Sequence, residues 1–131
     1  MSEYVEAKIL QFENMLKVFK DSVVKDPSIT ERTAAIKNFE LTYELARNAM
    51  KRVLEFRDGE NLPSTTSIIK KAFSYGLILE EKDWLEIIQL GNKAVHAYGE
   101  VLAESVFEKL QSVIKTFEGC LQNIKSDMGL I

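Results

Sequence analysis

The sequence predicts an all-α fold, an antiparallel up-and-down bundle of four or five helices. Three observations predict it. Apolar residues recur at alternating steps of three and four over long stretches, no segment sustains a period of two, and the two prolines fall between the apolar seams. The 131 residues suffice for one domain with its own core, so 1–131 reads as a single helical-bundle domain.

The first seam is Val5, Ile9, Phe12, Leu16, Phe19 and Val23, with Glu, Lys, Gln, Asn and Asp between its members. Pro27 closes it. Ser28 and Glu31 then have the S-x-x-E spacing of a capping box, in which each side chain satisfies an orphan N–H at a helix start. The second seam runs through Ile36, Phe39, Tyr43, Ala46, Met50 and Val53 to about Arg57, and Asp58-Gly59-Glu60-Asn61 reads as a turn. Ser64 caps a short third helix carrying Ile68, Ile69, Ala72 and Phe73, with Gly76 where a left-handed residue is wanted. A fourth begins near Glu80 and carries Trp84, Ile87, Ile88 and Val95, ending or kinking at Gly99. The fifth runs from about Glu100 with acids near its positive end. Its apolar set from Val106 to Ile124 is wider than one seam needs, so it is either deeply buried or shared with a second copy. Ser126 to Ile131 reads as a frayed tail, and Trp84 and the phenylalanines as core.

Composition excludes several classes. Hydrophobic residues at 46% and charged residues at 28% describe a globular chain, not a disordered one. A net charge of -3 supplies no general attraction to nucleic acid or anionic membrane, so a nucleotide or RNA site must be local. The lone Cys120 cannot form an internal disulfide and reads as a small buried hydrophobe in a reducing compartment. The acidic, polar start is no signal peptide and no stretch is long enough to span a membrane; the expected location is cytoplasmic.

Catalytic motifs are missing. One histidine and one cysteine cannot build a structural zinc site, and no phosphate-cradling glycine loop, nucleophile elbow or H-E-x-x-H helix is present. Glu40 with Glu44 and Glu100 with Glu104 are paired carboxylates, yet a bundle di-metal site needs E-x-x-H, and the residue three before His96 is Lys93. Those carboxylates read as solvated helix faces. No metal or cofactor is expected, and a self-contained enzyme is disfavoured.

One stretch stands apart: Leu90-Gly91-Asn92-Lys93-Ala94-Val95-His96-Ala97-Tyr98-Gly99-Glu100. Glycine inside a helix costs about 1 kcal/mol relative to alanine, so Gly91 needs a reason. Asn92 and His96, four apart, share a helix face with Lys93 beside them, and the set suits a phosphate or a polar base edge. On local chemistry alone, a boundary histidine, a half-buried Tyr98 and a close-packed Gly91 explain the stretch as simply. A second strip, Arg47, Asn48 and Lys51, offers two cations to a phosphate. A surface network with Glu44 and Glu55 is the simpler and favoured reading, and Lys70 and Lys71 read the same way.

The runs Phe39-Glu40-Leu41-Thr42-Tyr43-Glu44-Leu45-Ala46, Lys71-Ala72-Phe73-Ser74-Tyr75-Gly76-Leu77-Ile78, Trp84-Leu85-Glu86-Ile87-Ile88 and Asn92-Lys93-Ala94-Val95-His96-Ala97-Tyr98, followed by Glu100-Val101-Leu102-Ala103-Glu104, stand in one order. Together they resemble the nucleotidyltransferase substrate-binding protein family, a branch of the HEPN-type helical domains. The resemblance implies a helical bundle, commonly a homodimer, working beside a separately encoded minimal nucleotidyltransferase. It implies either the substrate-binding half of a two-part enzyme or a ribonuclease toxin that its partner silences by adding AMP to a tyrosine.

Both roles lean on an R-x4-H-x-Y motif. In this chain His96 and Tyr98 fall in register, which makes Tyr98 the implied modification site, but the arginine position holds Gly91. Glycine can neither hold a phosphate nor stabilise charge on a scissile phosphodiester, which leaves His96 as the only motif acid–base group. Lys93 could supply charge without the bidentate geometry. Positions 91 and 96 are also about 140° apart around an ideal helix. The reading favoured is a non-catalytic substrate-binding or partner subunit using Asn92, Lys93, His96 and Tyr98, with Arg47 and Lys51 as further contacts. The alternatives are a degenerate ribonuclease with His96 catalytic, and a purely structural helical dimer.

Overall fold

The computed structural model describes residues 2–96 and 99–131. The helices are α1 (Glu3–Ser22), α2 (Ile29–Asp58), α3 (Thr65–Ser74), α4 (Glu81–Val95), α5 (Glu100–Phe107) and α6 (Leu110–Asp127), with no strand among the described residues. The caps form where expected. Ser28 accepts from the Glu31 N–H at 3.1 Å and Glu31 answers from the Ser28 N–H at 2.9 Å. Ser64 caps α3, with Ser67 closing its box. Gly59 and Gly76 take left-handed φ values of 67° and 76°, conformations a Cβ would disfavour.

Helices α1, α2, α4 and α6 form the up-and-down frame. Tyr4 of α1 lies under Arg52 of α2 and Met15 meets Thr42, so these two run antiparallel. Lys20 with Glu118 and Lys125 with Glu13 set α6 antiparallel to α1. The short α3 departs from simple alternation. Its C-terminal Lys71 and Tyr75 both reach Asp58 at the end of α2, so α3 runs parallel to α2 after the 59–64 segment doubles back. Glu55 fastens that segment by accepting from the Leu62 N–H at 3.0 Å.

Phe117 occupies the middle of the core. Its ring lies 6.1 Å from Phe12, 6.2 Å from Phe19, 6.4 Å from Phe39 and 5.5 Å from Trp84, joining α1, α2, α4 and α6. Offset and edge-on aromatic contacts of this kind add about 0.5–1.5 kcal/mol each beyond area burial. Thr42 is the buried polar residue, its hydroxyl satisfied by the Asn38 carbonyl at 2.7 Å.

Four expectations are corrected. The fifth helix is two, broken at Glu108–Lys109, where both residues keep right-handed helical angles but the Lys109 N–H bonds to Val106, three residues back, at 3.1 Å. On either side of the break, α5 packs against α2 and α4, while α6 packs against α1 as well as α2. Most of the wide stripe is buried within the chain, at Val106, Leu110, Val113, Ile114, Phe117 and Ile124, while Phe107 and Leu121 are half-buried against the core. The tail is capped rather than frayed, since α6 runs to Asp127 and Leu130 N–H bonds to Lys125 at 2.8 Å around left-handed Gly129. Phe56 and Phe73 are half exposed, and Val95 lies outside with Leu90 and Ala94 taking the inner positions.

Candidate functional site

Helix α4 packs Trp84, Ile87, Leu90 and Ala94 inward. Lys93 lines the groove toward α6, while Asn92 and His96 are exposed next to it, alongside exposed Leu85 and Val95. His96 is the C-cap residue, its N–H bonded to the Lys93 carbonyl at 3.1 Å and its side chain exposed. Ala97 and Tyr98 lie outside the described residues, so the motif tyrosine and its modification site do too.

Gly91 is not a close-packing position. A Cβ built there meets nothing within 4 Å, and its φ lies outside the left-handed region. The space is open to a larger side chain, so packing gives no reason for the glycine.

The second strip is a separate place. Arg47 pairs with Glu44, as the salt-bridge reading expects. Lys51 does not engage Glu55, which instead pairs with Arg52 at 3.0 Å and holds the Leu62 N–H. Phe39 and Trp84 share the level of Phe117, and from there Arg47 lies toward the C-terminal end of α2 while His96 lies the opposite way. At 1.5 Å per residue the strips are on the order of 30 Å apart along the bundle. They form no common site.

Sequence reasoning missed a groove between α4 and α6. It encloses a cavity of about 370 Å³ with Asp83, Glu86 and Lys93 on one rim and Lys109, Ser112 and Thr116 on the other. Ile87, Leu90 and Val113 form its floor. A second cavity of about 240 Å³ continues it past Asp83 and Thr116 toward Trp84 and Asn123. The available signal was Ser112, Thr116 and Gly119, small residues at helical spacing beside a core face.

A charged cluster ties the far end of the bundle. Asp58 accepts from the Tyr75 hydroxyl at 2.6 Å and pairs with Lys71 at 2.7 Å, while Lys71 also reaches Glu60. Arg57 stacks 4.5 Å above the Tyr75 ring. The Lys71 and Tyr75 hydrogen bonds hold the Asp58 carboxyl below its ordinary range, and the Asp58 bond raises the Tyr75 phenol. Burial raises the Tyr43 phenol and the Cys120 thiol. No group of three or more His, Cys, Asp or Glu among the described residues is arranged to hold a metal, and no described helix is long and apolar enough to cross a membrane.

Comparisons with known proteins bear on this arrangement. A search of curated proteins found no match. Among solved structures, a protein from Thermus thermophilus is 30% identical with a TM-score of 0.81, covering 87% of this chain and 98% of its own. A Haemophilus influenzae protein, described as having the fold of a substrate binding domain of a nucleotidyltransferase, is 23% identical with a TM-score of 0.69, over 93% of this chain and 97% of its own. A chain from the tri-AMPylated Shewanella oneidensis HEPN toxin in complex with MNT antitoxin is 20% identical with a TM-score of 0.75, over 96% and 99%. These last two share the fold with this chain. The family model described as nucleotidyltransferase substrate binding protein like matches residues 2–126, and the chain belongs to that family.

Proposed function

We propose that this chain is the non-catalytic substrate-binding or partner subunit of a two-component system whose other member is a separately encoded minimal nucleotidyltransferase. The family match over residues 2–126 carries this reading. Fold relatives described as a nucleotidyltransferase substrate-binding domain and as a HEPN toxin in complex with an MNT antitoxin support it. The chain acts as one domain and pairs as a homodimer. Asn92, His96 and Tyr98 face the partner or its substrate, and Lys93 serves from the adjoining flank. Arg47 and Lys51, at the other end, are peripheral contacts at most.

The ribonuclease alternative has less behind it. Gly91 stands where the motif needs a guanidinium, and Lys93, the cation nearest His96 in sequence, lacks the bidentate geometry to replace it. Tagging the chain in its source cells, purifying it gently and identifying what accompanies it by mass spectrometry tests the proposal. Recovery of a small nucleotidyltransferase in fixed ratio supports it, and an AMP adduct on Tyr98 would shift the reading toward a silenced toxin. Recovery of the chain alone and unmodified overturns it.

A further inference from the structure

We infer that the last turn of α4, from Gly91 to Val95, and α5 form one arm that unfolds locally while the rest of the bundle stays folded. Its opening widens the groove between α4 and α6 at the end lined by Lys93 and Lys109. The helices are not fastened alike. Among the described residues, the side-chain ion pairs and hydrogen bonds between different helices join α1, α2, α3 and α6. None engages α4 or α5, so apolar packing holds these two in place.

That packing is strong at the start of α4 and weak beyond Gly91. Trp84 and Ile87 are buried, and the Trp84 ring lies against Phe117. From Gly91 through α5, the described residues that are buried are Ala94, Ala103 and Val106, and an alanine methyl offers little area to bury. Val101 in the first turn of α5 is 83% exposed, and Gly99 gives that turn no side-chain cap. Eight residues of helix are too few to persist without tertiary contacts. Local opening is drawn from such thinly packed parts of a fold. Because α5 packs on α4 as well as on α2, the two pieces loosen together.

The arm has a boundary at each end. One is the break at Glu108–Lys109. The other is Gly91, beside which a Cβ meets open space. A glycine here weakens the helix that follows it, which supplies the reason that packing does not. Opening takes Lys93 off the rim and leaves that end of the groove accessible to a larger occupant. This holds for the chain alone and does not depend on the two-component reading.

Native-state hydrogen exchange of the nitrogen-15-labelled chain, at rising urea below the unfolding transition, is the test. The amides of Ala94, Val95, Ala103 and Val106 are expected to share one opening with a shallow urea dependence. They should exchange about tenfold or more faster than those of Ile114 and Phe117, which await global unfolding. Gly91→Ala should slow the four arm amides about two- to fivefold. Ile9 is buried in α1, which packs against α2 and α6. Ile9→Val should therefore speed Ile114 and Phe117 about two- to tenfold and leave the arm amides unchanged. Arm amides as slow as Phe117, separate openings for the α4 and α5 pairs, or indifference to Gly91→Ala overturn the inference. So does an equal acceleration of arm and core by Ile9→Val.

Discussion

Tyr75 donates its hydroxyl proton to Asp58 across 2.6 Å, joining the C-terminal ends of two helices that run in the same direction. The bond favours the neutral phenol and the charged carboxylate together. The Tyr75 contribution is therefore complete below the unfolded phenol pKa of about 10 and lost as pH rises through its higher folded value. The Asp58 contribution is complete above the unfolded carboxyl value and lost as pH falls through its lower folded one. Ultraviolet titration should find the Tyr43 and Tyr75 phenols ionising late, and Asp58→Asn should return only that of Tyr75 toward the ordinary value. A Tyr75 midpoint indifferent to Asp58→Asn rules out the coupling.

At Gly91 the expected effect is a gain. The space beyond its Cα is empty and the position lies in α4, so Gly91→Ala should stabilise the protein by about 0.5–1 kcal/mol through helix propensity. Gly91→Arg should fold normally. Denaturant midpoints at unchanged slope check both. A lower midpoint for alanine would show that the glycine answers a packing constraint.

Phe117 should be among the costliest positions to truncate. Its ring meets aromatic side chains from α1, α2 and α4, so Phe117→Ala should cost about 3–5 kcal/mol and change Trp84 fluorescence. Phe73, with 46% exposure, should tolerate alanine within about 0.5 kcal/mol. Equal losses at the two positions would contradict this arrangement.

The Cys120 thiol should be inert in the folded protein. It is 2% exposed and burial raises its pKa, so little thiolate exists to react near neutrality. Its labelling by a thiol reagent should follow unfolding and accelerate in denaturant. Prompt labelling of native protein would mean that α6 opens locally.

The seam of α1 was legible because that helix buries a single face, so period and burial coincide from Val5 to Phe19; α2 buries a wider face, with Thr42, Ala49 and Leu54 inside and Tyr43 half-buried. The break at Glu108–Lys109 was not legible, since it involves neither proline nor glycine; beyond it α6 adds α1 to the α2 contact that α5 already makes. Nor was the parallel setting of α3, because a segment of this length serves equally for a simple reversal. The Asn92 and His96 face could be read from spacing alone. Lys93 stands beside it, three residues before His96, and also lines the groove toward α6, which the spacing alone did not show. The groove joins positions on separate helices, so no local pattern contains it.

The position of Phe117 also bears on how the chain matures during synthesis. Phe12, Phe19, Phe39 and Trp84 all emerge earlier, and the ring that fills the space among them arrives on the last helix. Until then the α1–α2 hairpin presents an open aromatic concavity, adhesive to chaperones and to other nascent chains. Lys125 and Lys20 then fasten α6 onto α1, joining the last helix of the bundle to its first. Completion of the core is thus deferred until α6 has been made, and a product cut short before Phe117 would expose an aromatic hollow for quality control to recognise.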